Sequence, residues 1–302
     1  MTMSPEVRPV IALVLARGGI EEFPEHSHLK YKALMPLAER PLAAYVIEAL
    51  RLSVVERVFV LVEREMRIEQ IIPPDARIHF IDHDGPSASI AEGLVFGLTG
   101  ILDYYGGCVN KTIMILPCDI PLATADEFND LIVKAQRSES DLLLTIIREG
   151  LIQANGRHRR TLYNPELRDK VASQNINFIN ADRLKLASDG KLLMSGRDGR
   201  LIRGVELAMD SMRRRRNGIL LWPILIWQLF VWRMIKNGYT LQLIKAFYRL
   251  SSRKMTIEDV RKYFYMAYRL QFAVIESKFP SFSSDVDDAA DVTEVLSKLA
   301  AS

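Results

Sequence analysis

Four runs with almost no polar interruption limit what this chain can fold into: Val10–Ala16 (VIALVLA), Arg57–Val62 (RVFVLV), Thr112–Leu116 (TIMIL) and Asp141–Ile147 (DLLLTII). A strand that is apolar at nearly every position is buried on both faces, which is the condition of a parallel sheet covered by helices. The intervening segments supply those helices. Leu42–Leu52, Ser89–Leu98 and Asp126–Gln136 carry apolar residues at helical spacing, and Arg77–Ile81 adds a further short strand. Three helix starts read as capping boxes, a hydroxyl followed three residues later by an acid: Ser89 with Glu92, Thr124 with Glu127, and Thr256 with Asp259. The expectation is an α/β fold, a Rossmann-like, mostly parallel sheet flanked by helices.

The alternation loosens past residue 150. Residues 150–215 are polar, with strands expected near Arg160–Tyr163 and Asn175–Ile179, and residues 219–272 read as two or three aromatic-rich helices. An acidic stretch, Ser281–Asp291, leads into a short terminal helix at Val292–Ala300. These features predict a single domain over 8–302. Within it, 8–150 form the α/β core, 151–280 a looser region with a helical insertion, and 281–302 the return to the sheet near Asp285.

Composition excludes several classes. With 302 residues, 49% hydrophobic and 25% charged, the chain is neither disordered nor a coiled coil. A net charge of +3 is too small to argue for nucleic-acid binding. Two cysteines, Cys108 and Cys118, make neither a disulfide framework nor a four-ligand zinc site, and a cytoplasmic location is the default. The run VIALVLA ends in Arg-Gly-Gly with no small-residue cleavage site, so it reads as a strand and not a leader. The longest apolar stretch, Ile219–Trp232, spans 14 residues, whereas a membrane-crossing helix needs about 20.

Charge is unevenly spread. From Arg203 to Arg269 there are fourteen basic residues against four acids, +10 in total, so the rest of the chain carries −7. The segment 213–236, with Arg213–Arg216 ahead of Trp222, Trp227, Phe230 and Trp232, reads in two ways. One is a hydrophobic helix packed under the sheet beside a solvated basic turn. The other is a peripheral contact with an anionic membrane.

In an open parallel sheet, ligands sit beyond the carboxyl ends of the strands, and three segments arrive there. Ala16-Arg17-Gly18-Gly19 leaves the first strand, and glycines there let backbone N–H groups approach a phosphate, although such a turn is also an ordinary strand exit. Leu116-Pro117-Cys118-Asp119 places a carboxylate after a buried strand, where it could also cap the next helix. Gly85-Pro86-Ser87-Ala88-Ser89 is a tight turn opening a helix, whose dipole and hydroxyls suit an anionic or hydroxyl-rich ligand.

In order along the chain, VIALVLARGG, KALMPLAERPLAAYVIEAL, GPSASIAEGL, LPCDIPL and DVDDAADV resemble the GT-A-type nucleotidyltransferases, and within them the MobA-like NTP transferases. The resemblance covers residues 10–150 and resumes at about 283–299. It implies a Mg²⁺-dependent enzyme that joins a nucleoside triphosphate to a small phosphorylated or anionic acceptor and releases pyrophosphate. Carried over, Leu15, Ala16, Arg17, Gly18 and Gly19 match the nucleotide loop, Lys32 the lysine on the phosphates, and Gly85, Pro86, Ser87 and Ser89 the base and ribose segment. Asp119 matches the metal-binding aspartate, and Asp285 and Asp287 match the closing acidic motif whose aspartate is the second metal carboxylate. Arg159, Arg160 and Asn177 are candidates for the acceptor, with an exposed basic turn as the alternative for the arginines.

The sequence also departs from the family pattern. Arg17 stands at a usual Gly or Ala position, and the arginine that normally follows in the loop is missing, so either Arg17 or Lys30 replaces that charge or pyrophosphate binding is weakened. Glu39 stands where Gly is usual, and Asp288-Ala289-Ala290 replace Thr-Pro-Glu. Two other functions fit the same fold: a glycosyltransferase that consumes a nucleotide sugar, and a nucleotide-binding protein without catalysis.

Overall fold

The computed structural model describes residues 8–20, 23, 26, 28–84, 90–154, 161–164, 167–186, 192–194, 232–236, 238–252, 254, 256–268 and 270–301. The chain begins with β1 (Val10–Leu15), makes a small hairpin of β2 (Pro36–Leu37) and β3 (Arg40–Pro41), and enters α1 (Leu42–Leu52). β4 (Arg57–Glu63), β5 (Ile78–His83), α2 (Ile90–Tyr104), β6 (Thr112–Pro117), α3 (Ala125–Gln136) and β7 (Leu142–Arg148) follow. A short α4 (Glu149–Gln153) precedes β8 (Leu162–Asn164), the long β9 (Asp169–Asn180), and the small pair β10 (Leu184–Leu186) and β11 (Leu192–Met194). Three helices come next, α5 (Trp232–Lys236), α6 (Thr240–Ser251) and α7 (Ile257–Tyr268), then β12 (Phe272–Ser277) and α8 (Ala289–Ala301).

Seven strands form the main sheet in the order β12-β7-β9-β6-β1-β4-β5, with β8 paired to β9 off that path. All neighbours are parallel except at β9, which runs antiparallel to both β6 and β7. The fold is therefore the expected Rossmann-like one. The apolar strands are covered on both faces: Ala12, Val14, Val58, Val60 and Met114 pack toward α1 and α3, while Ile11, Leu13, Phe59, Leu61 and Ile113 pack toward α2. α2 lies close to the sheet because Gly97 and Gly100 face it; a Cβ on either would come within 2.9 Å of Leu13 or Ile81.

Two of the three capping boxes form. Thr124 and Glu127 exchange side-chain and backbone hydrogen bonds at the start of α3, and Thr256 and Asp259 do the same at α7. The third, at Ser89, lies outside the described residues. The sheet is rejoined earlier than residue 281, because Phe272–Ser277, which the sequence left inside the 151–280 region, forms β12 and pairs in parallel with β7.

The order of the strands locates the ligand edge. From β1 the chain moves to β4 and β5 on one side, then returns through α2 to place β6 on the other. The crevice beyond the ends of β1 and β6 is thus the topological switch point, where open α/β sheets bind ligands.

Candidate active site

Three segments meet at that crevice, each held by its own local structure. The loop after β1 carries Arg17, Gly18 and Gly19, and a side chain at Gly18 would meet nothing within 4 Å. Lys32 opens a short 3₁₀ turn (Lys32–Leu34) whose Ala33 is buried, and its N–H donates to the Gly18 carbonyl at 3.0 Å. Asp119 follows β6 by two residues. The Val286 N–H donates to the Asp119 carbonyl at 3.0 Å, which draws Asp285–Asp287 onto the end of β6. Val286 is fully buried among Ile20, Phe23, Met35, Leu37, Leu42 and Val295, so the alternation Asp-Val-Asp turns the valine into the core and leaves Asp287 exposed.

Lys32 stands at the centre. Its Nζ lies 2.7 Å from Asp119 Oδ2 and 2.9 Å from Asp287 Oδ1, bridging carboxylates 168 positions apart in sequence. Burial acts most strongly on the Lys32 ammonium and would lower its pKa; the charge and hydrogen bond of Asp119, then those of Asp287, outweigh it and raise it. The ammonium is therefore permanent near neutral pH. Asp119 Oδ1 is buried without a hydrogen-bond partner. Around this cluster is a cleft of about 670 Å³ lined by Leu15, Arg17, Gly18, Gly19, Lys32 and Asp119, with Asp287 and Asp288 at its other wall.

The departures from the family pattern have physical counterparts. Arg17 donates from Nε and Nη2 to Glu63 Oε1 at 3.1 Å, with its side chain 4% exposed. Its charge is thus engaged by Glu63, while its Nη1 is buried and lies 3.4 Å from where a Cβ on Gly93 would stand. Lys30 is likewise paired, with Glu65 at the surface. Glu39 has φ +68° and Ala38 φ +45°, the backbone of a two-residue hairpin turn that explains why glycine is usual there. Asp288 replaces the usual Thr as the cap of α8: it accepts from the Asp291 N–H, while Asp291 Oδ2 accepts from the N–H groups of Asp287 and Asp288.

Asn177 does not join the site. It pairs with Ile115 and Leu144 inside the sheet and does not line the cleft. Asp285 sits beside Val286, half-buried, and is not among the residues lining the cleft. Gly85, Pro86, Ser87, Ser89, Arg159 and Arg160 lie outside the described residues. Cys118 is buried, and burial, reinforced by the Asp119 charge, pushes its thiol pKa up, so it stays protonated and inert. Sequence reasoning did not single out Glu63 or Asp291. The signal for Glu63 was a carboxylate ending an otherwise apolar strand.

The donor set suits a small hard cation. Two carboxylates from different segments, one carrying an unsatisfied buried oxygen, can hold Mg²⁺ when substrate phosphates complete the shell. Among the described residues no group of three or more His, Cys, Asp or Glu forms a fuller cage.

Known structures share this architecture. A hypothetical transferase from Thermus thermophilus superposes with a TM-score of 0.62 over 94% of this chain and 99% of its own, at 18% identity. The 4-diphosphocytidyl-2C-methyl-D-erythritol synthase of Anaerococcus prevotii superposes with a TM-score of 0.50 over 98% of both chains, at 8% identity. At those identities the likeness is one of fold. No curated protein matches the sequence. The MobA-like NTP transferase domain matches residues 27–179, half of the chain, including Lys32 and Asp119. The chain belongs to that family of nucleotidyltransferases.

Proposed function

We propose that this protein transfers a nucleoside monophosphate from a nucleoside triphosphate to a small phosphorylated or anionic acceptor, with Mg²⁺ and release of pyrophosphate. The observation that carries this reading is Lys32 held between Asp119 and Asp287 beside the Gly18–Gly19 loop at the switch point. Attack on an α-phosphorus builds charge on its oxygens and on the departing pyrophosphate, so positioning and neutralisation supply most of the catalysis. Lys32 supplies a compact permanent charge with three donors to the phosphates. Gly18 and Gly19 let the backbone come close to them. Asp119 and Asp287 hold the metal, which, when bound, neutralises phosphate charge and aligns the reacting oxygens. An acceptor that attacks through a phosphate oxygen needs no general base.

Pyrophosphate release from each of the four triphosphates, with candidate phosphorylated acceptors and with or without Mg²⁺, tests the reading. One triphosphate is expected to give Mg²⁺-dependent release, reduced by about 10²–10³ in Asp119→Asn. Release without an acceptor or metal requirement would sink the proposal. The ion pairs that occupy both Arg17 and Lys30 favour a second reading, nucleotide binding without turnover. That reading predicts Mg²⁺-dependent thermal stabilisation by a triphosphate with no pyrophosphate formed under any acceptor.

A further inference from the structure

The helical insertion presents a surface that the transferase chemistry does not use. α6 buries one face, Leu243 and Ala246, against Met234 and Tyr263. Its other face carries Leu241, Ile244, Phe247 and Tyr248, which are 73%, 61%, 43% and 64% exposed. At 100° per residue these four span about a third of the helix circumference, and the exposed Lys245 lies at the margin of that arc. Four large apolar side chains exposed on one stripe of a 12-residue helix mark an interaction surface.

We propose that this stripe docks on an anionic phospholipid surface, with α6 lying in the plane of the headgroups. The charge of the surrounding sequence selects that occupant. Between Asp210 and Glu258 the chain has ten basic residues and no acid. All three tryptophans of the protein, Trp222, Trp227 and Trp232, fall in the same interval, and Trp with Lys and Arg is the composition of an interfacial segment. A second copy of the chain would bring the same +10 region against itself. A nucleic acid would match the charge but offers its phosphates nothing to cover Leu241 and Ile244. Among the described residues no helix is long and apolar enough to cross a membrane. The inference rests on the surface of α6 and stands apart from the nucleotide chemistry.

Flotation of the full chain with phosphatidylcholine vesicles, alone or containing phosphatidylglycerol, tests it. Wild type is expected to partition many-fold more onto the anionic vesicles and to lose most of that preference at high salt. Each basic residue near the surface contributes about fivefold, so Lys245→Glu should lower the partition coefficient at least about fivefold. Leu241→Ser with Ile244→Ser should bring flotation close to background while leaving circular dichroism and any Mg²⁺–nucleotide stabilisation unchanged. Equal flotation on both vesicle types overturns the proposal, as does unchanged binding by the folded double variant. If the double variant does not fold, Lys245→Glu decides alone, and binding equal to wild type overturns it. A dimer in wild type that the double variant abolishes, without flotation, assigns the stripe to a second copy and also overturns it.

Discussion

At Lys32 one ammonium sits where two carboxylates converge, within 2.9 Å of both. The same carboxylates are the ones the proposed Mg²⁺ would need, so lysine and metal compete for them while no triphosphate is present. Lys32→Met would leave Asp119 and Asp287 facing each other across an apolar side chain. The expected cost is about 1–3 kcal/mol, between the values for exposed and buried pairs, because Asp119 is largely enclosed and Asp287 is not. Millimolar Mg²⁺ without nucleotide should restore much of that loss in the variant and shift wild type far less. Thermal midpoints of both proteins across a Mg²⁺ titration read this directly. Equal responses would mean that the carboxylates hold no metal, or that Lys32 does not stand in its way.

At the scale of single elements, α7 shows how a helix start becomes sensitive to pH. Burial would by itself raise the Asp259 pKa, and it is the largest single influence. The hydrogen bond from Arg249 and those from the Thr256 N–H and hydroxyl outweigh it, so the folded pKa is lowered. A lowered carboxylate pKa stabilises the fold fully above the unfolded value, about 3.9, and the contribution fades as pH falls through the folded value. Asp259→Asn should therefore cost about 0.5–2 kcal/mol at neutral pH, the range for lost helix caps. The gap to wild type should close in acid, as followed by urea unfolding at a series of pH values. A gap independent of pH would show that the carboxylate charge is not what the cap uses. This cap was legible in advance because its partners are three residues apart. β1, α1, β4, β6 and α3 were legible for the same reason, since each carries its own period and end signals. β12 was not, and of β9 only Asn175–Ile179 was. β9 is a central strand whose buried Gln174 donates from Nε2 to the Phe279 carbonyl and the Ser283 hydroxyl, more than 100 residues away. β12 is a sheet edge that follows a helix directly, and its pairing with β7 has no local sign.

Across the whole molecule, the site depends on closing one end of the chain onto the other. Residues 10–119 supply the loop, the lysine and one carboxylate, and the second carboxylate returns 168 positions after Asp119. The acidic residues of that return were legible as a motif, but their placement belongs to Val286, which is fully buried between them. Its side chain fills a small core with Ile20, Phe23, Met35 and Leu37 from the first loop and hairpin, and its N–H holds the end of β6. The core that stabilises the return is thus the same one that sets Asp287 against Lys32. Val286→Ala removes two methyl groups from a fully buried position and should cost about 2–3 kcal/mol, transfer and cavity together. It should also reduce the stabilisation given by a saturating Mg²⁺–triphosphate, because Asp287 loses its anchor while keeping its charge. Ligand stabilisation grows with the logarithm of ligand over dissociation constant, so a tenfold weaker site appears as about 1.4 kcal/mol less at the same concentration. Denaturant unfolding of wild type and variant, each with and without the ligand, separates the two effects. A variant that loses stability but keeps the full ligand increment would uncouple core from site, and Asp287 would then owe its position to the Asp291 cap alone.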